Sequence, residues 1–239
     1  MTVPEARKQE QLRRYPLRRH RYPVAGGTLS VVAPDSGQWL HTGGWSRRAQ
    51  LGAEPPYWAD VWPASLAVAR WLARRRDLEA KRVLDLGCGV GVAGCGALLR
   101  GASVTFADLE PDALAFAEFN GLATGAPRER IERLQLDWHR QTAPTGFDLL
   151  LLADVTYRPV HHGPIRRHVE QCLAAGGLVV HCDPYRTETD SFLRSCDLRL
   201  AKRMIAIDTH FGDKRIPVRL TLMAACPEDL ERWAPAAPA

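Results

Sequence analysis

The stretch Lys81-Arg82-Val83-Leu84-Asp85-Leu86-Gly87-Cys88-Gly89-Val90-Gly91 admits few folds. Val83 to Leu86 is a short apolar run closed by glycine, the pattern of a strand buried on both faces. Glycines follow at 87, 89 and 91, and Val90 to Leu99 is apolar enough to continue as a buried helix. Strand, glycine turn and helix open a nucleotide-binding α/β unit: the glycines let a ligand approach the backbone, and the helix start supplies N–H donors. Ligands of such sheets bind beyond the carboxyl ends of the strands.

Gly89, Gly91 and Gly94 also fit G-x-G-x-x-G, the dinucleotide spacing. Asp85 argues against a dinucleotide. A carboxylate at this strand end repels a pyrophosphate and attracts a ligand with an ammonium and a sulfonium, as in S-adenosylmethionine (SAM). Gly87, Gly89 and Gly91 then form the cradle, and Asp85 is the charge partner.

The alternation continues downstream. Ser103 to Ala107 reads as the next strand and ends in Asp108, 17 positions after Gly91. That is near the spacing at which an acid accepts hydrogen bonds from a ribose hydroxyl pair. Pro111 starts a helix running to Leu122, and Ile131 to Leu136 is a third strand closed by Asp137-Trp138. This pair suits an adenine, the acid accepting from the amino group and the ring covering the base, with simple core packing of Trp138 as the lesser alternative. Phe147 to Ala153 is a near-continuous apolar run ending in Asp154-Val155-Thr156-Tyr157. A helix is expected from Pro164 to Ala175, a fifth strand over Leu178 to Cys182, and a helix over Glu188 to Ser195. Arg199 to Asp208 and Ile216 to Ala225 can pair as a C-terminal hairpin, with Pro217 at a strand start or edge. Asp85, Asp108, Asp137, Asp154 and Asp183 all fall at or near strand ends, the arrangement of a site for a cationic cofactor and an amine.

Upstream, Thr28 to Ala33 alternates as a strand and Pro34 to Gly37 reads as a turn. Gln38 to Ala53 reads as loop. In Pro55-Pro56-Tyr57-Trp58-Ala59-Asp60-Val61-Trp62-Pro63, Pro63 starts a helix over Ala64 to Arg76. The aromatics before it either pack the helix entry or wall a ligand.

The net charge of +5 and an isoelectric point near 9.0 raise the question of nucleic acid. Residues 1–22 hold seven basic and two acidic groups, leaving 25 of each sign in the rest of the chain. The body is formally neutral, so nucleic acid is disfavoured. The excess sits on an N-terminal arm, read as frayed or helical: such an arm is most often a solvated segment and less often a docking patch for an acidic partner. No apolar run approaches a membrane span, and no secretory signal core is visible. Six cysteines without a C-x-x-C pair read as reduced core thiols of a cytoplasmic protein, and no metal set is indicated. His41, His161, His162 and His181 could relay a proton, but none is assigned that role.

From Pro55 to Asp183 the chain resembles the class I, seven-β-strand methyltransferases of the lysine-modifying branch. The carriers are Val83 to Gly91, the Trp62-Pro63 helix entry, Asn120, Asp137-Trp138 and Asp154-x-x-Tyr157. Pro-Tyr-Trp at 56–58 and Asp183-Pro184-x-Arg186 make it most similar to the bacterial kind that resembles electron transfer flavoprotein β-subunit lysine methyltransferases. The resemblance implies a Rossmann-like, mostly parallel seven-stranded sheet with the antiparallel C-terminal hairpin. It implies SAM held by Trp62, Asp85, Gly87, Gly89, Gly91, Asp108, Asp137, Trp138 and Asp154. It implies Asp154 and Tyr157 as catalytic residues, and a protein substrate for which the electron transfer flavoprotein β-subunit is the first candidate. A small-molecule amine, or a SAM-binding module without catalysis, are the other readings. The expected organisation is an extension over residues 1–54, the catalytic domain over 55–233 and a tail over 234–239.

Overall fold

In the computed structural model the described residues are 12, 14–41, 55–76, 78–196, 200–211 and 213–233. The elements in chain order are β1 (Leu17–Val24), β2 (Gly27–Pro34), α1 (Ser36–His41), α2 (Pro63–Ala73), β3 (Arg82–Leu86), α3 (Val92–Leu98), β4 (Ser103–Asp108) and α4 (Pro111–Ala123). They continue as β5 (Ile131–Gln135), β6 (Leu149–Ala153), α5 (Pro159–Ala174), β7 (Leu178–Asp183), α6 (Thr187–Ser195), β8 (Ala201–Phe211), β9 (Lys214–Ala224) and α7 (Pro227–Arg232).

The run at β6 is apolar without alternation because both faces are covered. Leu149 and Leu151 join the cluster beneath α2, α3 and α4, whereas Leu150 and Leu152 join the cluster beneath α5 and α6. All four are essentially solvent-free, and each contributes about 1.5–3 kcal/mol of apolar burial. Seven strands pair in the order β5-β4-β3-β6-β7-β9-β8. The chain starts its sheet in the middle at β3, runs out to β5, then returns to β6, so the carboxyl ends of β3 and β6 are adjacent at the switch point.

As expected from the sequence, the C-terminal hairpin joins the sheet, at its β7 edge and through its second strand. Its second strand, β9, runs antiparallel to both neighbours, filling the gap between β7 and β8. Pairing with β7 begins at Arg219, so Pro217 lies where β9 has β8 alone as partner, and its missing N–H costs no β7 bond.

Three expectations are corrected. Residues 17–24 are neither frayed nor helical: β1 pairs along its whole length with β2 around Ala25-Gly26. Tyr22 points inward while Arg18, Arg19 and Arg21 are exposed, and Leu29, Val31, Val32 and Ala33 of β2 enter the main core. Gly26 at φ +86° supplies the left-handed turn. The remainder of the basic arm, most of the proposed 38–53 loop and the 234–239 tail lie outside the described residues. The helix expected at Pro164 begins five residues earlier, at Pro159 in the first turn, with Pro164 inside it. Pro164 removes the bond to the Val160 carbonyl, and Val160 is exposed, so water can replace it. The turn expected at 34–37 passes directly into α1, where the Asp35 carboxylate accepts from the Gln38 amide at 3.2 Å. Among the described residues no helix is long and apolar enough to cross a membrane.

Candidate functional site

At the carboxyl ends of β3, β4 and β6 lies a cavity of about 640 Å³, within the size range of cofactor sites. Its floor is the loop after β3. The Gly87 and Cys88 amides both donate to the Ala107 carbonyl, at 2.8 and 3.0 Å, tying the loop to the end of β4. Gly89 takes φ +52°, and a Cβ there would stand 3.0 Å from the Trp58 carbonyl. Gly87 and Gly89 line the cavity, whereas Gly91 does not. Gly91 caps α3 at φ +82°, and a Cβ there would meet Ala117 of α4 at 2.8 Å. Its absent side chain lets α4 pack behind the loop.

Asp85 is 1% exposed and its Oδ2 accepts from the Gly94 amide at 2.8 Å. The carboxylate at the floor of the cavity is therefore held by the first turn of α3. Burial pushes the Asp85 carboxyl up to about 7, against the Gly94 hydrogen bond, and Asp108 adds to the rise. Asp108 is pinned on both oxygens, Oδ2 by the Gly89 amide at 2.9 Å and Oδ1 by the Glu110 amide at 3.0 Å. Burial raises it to about 6, with those amides opposing. Each pinned oxygen keeps a second lone pair for a hydroxyl donor.

Asp137 and Trp138 line the opposite side. The Asp137 carboxylate accepts from the His139 amide at 2.9 Å and faces Arg140 at 3.4 Å, so it also builds its own turn. The Trp138 ring would lie 3.0 Å from a Cβ on Gly87, closing the loop from above.

The stretch before α2 does both things left open by its sequence. Trp58 is buried and packs edge-on against Tyr15 and tilted against Phe116, at 5.6 and 5.9 Å between ring centres. Tyr57 and Trp62 face the cavity, where the Trp62 indole N–H donates to the Tyr57 carbonyl at 2.8 Å. Tyr57 meets Tyr157 edge-on at 5.8 Å, and Tyr157 meets His161 at 6.0 Å. Aromatic groups thus run around the mouth from Trp62 to Trp138.

Asp154 follows β6 directly, in the left-handed region at φ +59°. Its amide donates to the Cys182 carbonyl of β7 at 2.8 Å, and its carboxylate lines the cavity three residues before Tyr157. Burial raises Asp154 above the ordinary carboxylate range, while Arg186 pulls it down: Nε donates to Oδ1 at 2.6 Å and Nη2 to Oδ2 at 2.8 Å. Burial likewise raises the Tyr157 phenol, which stays neutral and so able to donate. The middle of the motif is structural. Thr156 is fully buried, with its hydroxyl 2.9 Å from both His181 Nε2 and Thr189 Oγ1.

Trp62, Asp85, Gly87, Gly89, Asp108, Asp137, Trp138, Asp154 and Tyr157 therefore share one cavity, and Gly91 supports it from behind. Asp183, grouped with these acids by its strand end, does not join them. It is fully buried and bound by Arg219 at 2.7 Å and by the Arg186 amide at 2.7 Å. Arg186 and His161 line the cavity without having been assigned to it from sequence. The Asp-Pro-x-Arg spacing was a signal for the first. Burial lowers His161 to about 4, with His139 adding to the fall, and its Nδ1 lies 2.9 Å from His139 Nε2. His162 and His181 serve the Thr156 network, and the His41 side chain lies outside the described residues. Five of the six thiols are buried, and among the described residues no cluster of three or more His, Cys, Asp or Glu could hold a metal.

The donor set fits SAM: a buried acid at the glycine loop, a second pinned acid at the end of β4, and an indole beside the loop. Comparison with known proteins agrees. Magnesium protoporphyrin IX methyltransferase from Synechocystis PCC 6803, solved with bound SAM, shares the fold with a TM-score of 0.53 at 14% identity, over 78% of this chain and 94% of that one. The electron transfer flavoprotein beta subunit lysine methyltransferase of Danio rerio is 32% identical over 149 residues, 60% of this chain and 56% of that protein. This chain thus spans little more than half of that relative. Protein N-lysine methyltransferase METTL21A of Danio rerio is 31% identical over 165 residues, 66% of this chain and 73% of that protein. The sequence pattern of the lysine methyltransferase family matches residues 57–197, which hold every cavity residue named above from Tyr57 to Arg186. The chain belongs to the lysine methyltransferase family.

Proposed function

We propose that this chain is a SAM-dependent N-methyltransferase acting on a lysine side chain of a protein. The observation that carries the reading is the placement of Asp154 and Tyr157 in one turn, on the same cavity as Asp85 and Asp108. When bound, SAM supplies an electrophilic methyl group on a sulfonium. Asp85, with the Gly87 and Gly89 backbone, would hold its charged end, and Asp108 its ribose hydroxyls. Trp62, Asp137 and Trp138 would border the rest.

An in-line displacement at carbon asks the protein mainly for positioning. The lysine ammonium, with an ordinary pKa of about 10.4, first gives its proton to water. Asp154 then accepts a hydrogen bond from the neutral amine and aims its lone pair. The nitrogen–carbon bond forms as the carbon–sulfur bond breaks, and positive charge passes to nitrogen beside the Tyr57 and Tyr157 rings, whose faces stabilise a cation.

The relatives named for electron transfer flavoprotein β-subunit and for protein lysine make that subunit the first acceptor to test. The buried thiols without a paired spacing support a reducing, cytoplasmic setting. Incubation of the chain with SAM and the β-subunit, followed by peptide mass spectrometry, should show methyl increments on lysine. Unmodified lysines together with a methylated small amine would favour the small-molecule reading instead.

A further inference from the structure

Asp154 does not wait for its amine with a bare carboxylate. Arg186 holds both of its oxygens through two N–H donors, a planar fork on a planar acid. The clamp is built with care on both sides. Asp154 sits at φ +59°, and Tyr185, just before Arg186, at φ +56°. Aspartate tolerates this region, but tyrosine seldom enters it unless its surroundings impose it. The Arg186 amide donates to Asp183 at 2.7 Å and its carbonyl accepts from Arg219 at 3.2 Å, so the backbone carrying the fork is fixed from β7 and β9.

We propose that Arg186 is a positioning residue that sets the protonation of the acceptor: by keeping Asp154 in an ion pair, it lets the pocket hold the lysine as the neutral amine. The inference rests on the lysine reading above. A lone buried carboxylate beside an ammonium forms its own ion pair and raises the amine's pKa, trapping the unreactive form. The reactive arrangement is carboxylate plus neutral amine. Without Arg186 that arrangement buries a net negative charge, which is costly; with the guanidinium it is neutral overall. The fork still leaves each oxygen a second lone pair, so Asp154 can accept from the amine. The released proton goes to solvent before the nitrogen–carbon bond forms.

Among the described residues no other group around the clamp does this work. Asp183 is satisfied by Arg219 at 2.7 Å, and Arg219 also pairs with Asp190 on α6. Asp108 faces Tyr157 but is held by two amides. His161 on α5 is neutral, as is the Tyr157 phenol. Tyr57 completes the wall, and Glu188 on α6 faces Arg186 from the solvent side.

The test is the pH dependence of kcat/KM for methylation of the electron transfer flavoprotein β-subunit by wild type, R186Q and R186K, with SAM binding measured on each to confirm the fold. The acid limb of the profile should move to higher pH by at least about one unit in R186Q. In R186K, which keeps the charge and loses the fork, the limb should stay near the wild-type position while kcat falls. A slower R186Q with an unmoved limb would make the clamp a mere tether between two loops and overturn the proposal. If R186Q fails to bind SAM, R186M, which keeps the apolar stem, takes its place; loss of fold in both would equally mark the clamp as structural. Absence of lysine methylation by the wild type would instead overturn the underlying reading, and the inference with it.

Discussion

Asp85 lies at the floor of the cavity with one oxygen on the Gly94 amide, and burial brings its carboxyl to about 7. An acid with a raised pKa is disfavoured as a carboxylate in the empty protein, whereas the contact proposed with SAM uses the carboxylate. The linkage sign follows: SAM affinity is full above about 7 and falls as pH drops through it, with Asp108, raised to about 6, adding a second loss. Calorimetry should show affinity weaker by up to roughly tenfold at pH 6 than at pH 7. Asp85→Asn should bind weakly and lose most of this pH dependence. Gly89→Val should also bind weakly, because its φ of +52° and the Trp58 carbonyl 3.0 Å away leave no room for a side chain. These residues were legible in the sequence because their partners are local: a strand, a turn, an amide nine positions on. Asp183 was misread for the opposite reason. Its partner, Arg219, is 36 positions away on a strand whose insertion beside β7 no local pattern announces. The Arg186 clamp on Asp154 spans 32 positions and was hidden likewise.

Among the elements, the β1–β2 hairpin shows how one side chain joins two regions. Asn120 of α4 accepts from the Val32 amide at 2.8 Å, and donates to the Val32 and Val90 carbonyls at 2.9 Å each. It caps the outer edge of β2 and braces the glycine loop in one contact. Asn120→Ala leaves three buried backbone groups unpaired and should cost roughly 3 kcal/mol in urea unfolding. SAM affinity should fall with it, because Val90 belongs to the loop. Helices α2 and α3 touch at Gly96, where a Cβ would come within 2.5 Å of the Ala69 backbone. Gly96→Ala should therefore destabilise by about 1–3 kcal/mol through overpacking. Helix starts at Pro63 and Pro111 were readable from the proline itself. The start of α5 was not, because two prolines compete for the first turn and sequence favoured Pro164 over Pro159. The strand at 17–24 escaped because its three exposed arginines outweigh its one buried tyrosine in composition, although Ala25-Gly26-Gly27 before an alternating run was a hairpin signal.

At the scale of the molecule, the apolar runs of β3, β4, β6 and β7 determine a parallel sheet, and Asp85, Asp108 and Asp154, at the ends of β3, β4 and β6, gather where the chain reverses direction. That much of the fold and site was readable from the sequence, because strands buried on both faces leave an uninterrupted apolar signature. The position of β9 was not, since hairpin pairing alone leaves open which strand meets the sheet. The N-terminal hairpin belongs to the same core as α2 and α4, so deleting residues 1–24 should lower stability by at least about 3 kcal/mol, as the core loses Tyr15 and Tyr22 and β2 loses its pairing strand. Unchanged unfolding would assign those residues to docking alone.

The central claim is that Asp154 acts on the amine and not on the cofactor. Its most direct test supplies SAM labelled at the methyl group to wild type and to Asp154→Ala, with the electron transfer flavoprotein β-subunit as acceptor. The label is located by peptide mass spectrometry, and SAM binding is measured in parallel. The account predicts label on lysine with the wild type, and a kcat lower by orders of magnitude in Asp154→Ala at nearly unchanged SAM affinity, since the lost contact forms only when amine and methyl are aligned. Methylation by Asp154→Ala at the wild-type rate, or label confined to groups other than lysine, would contradict it.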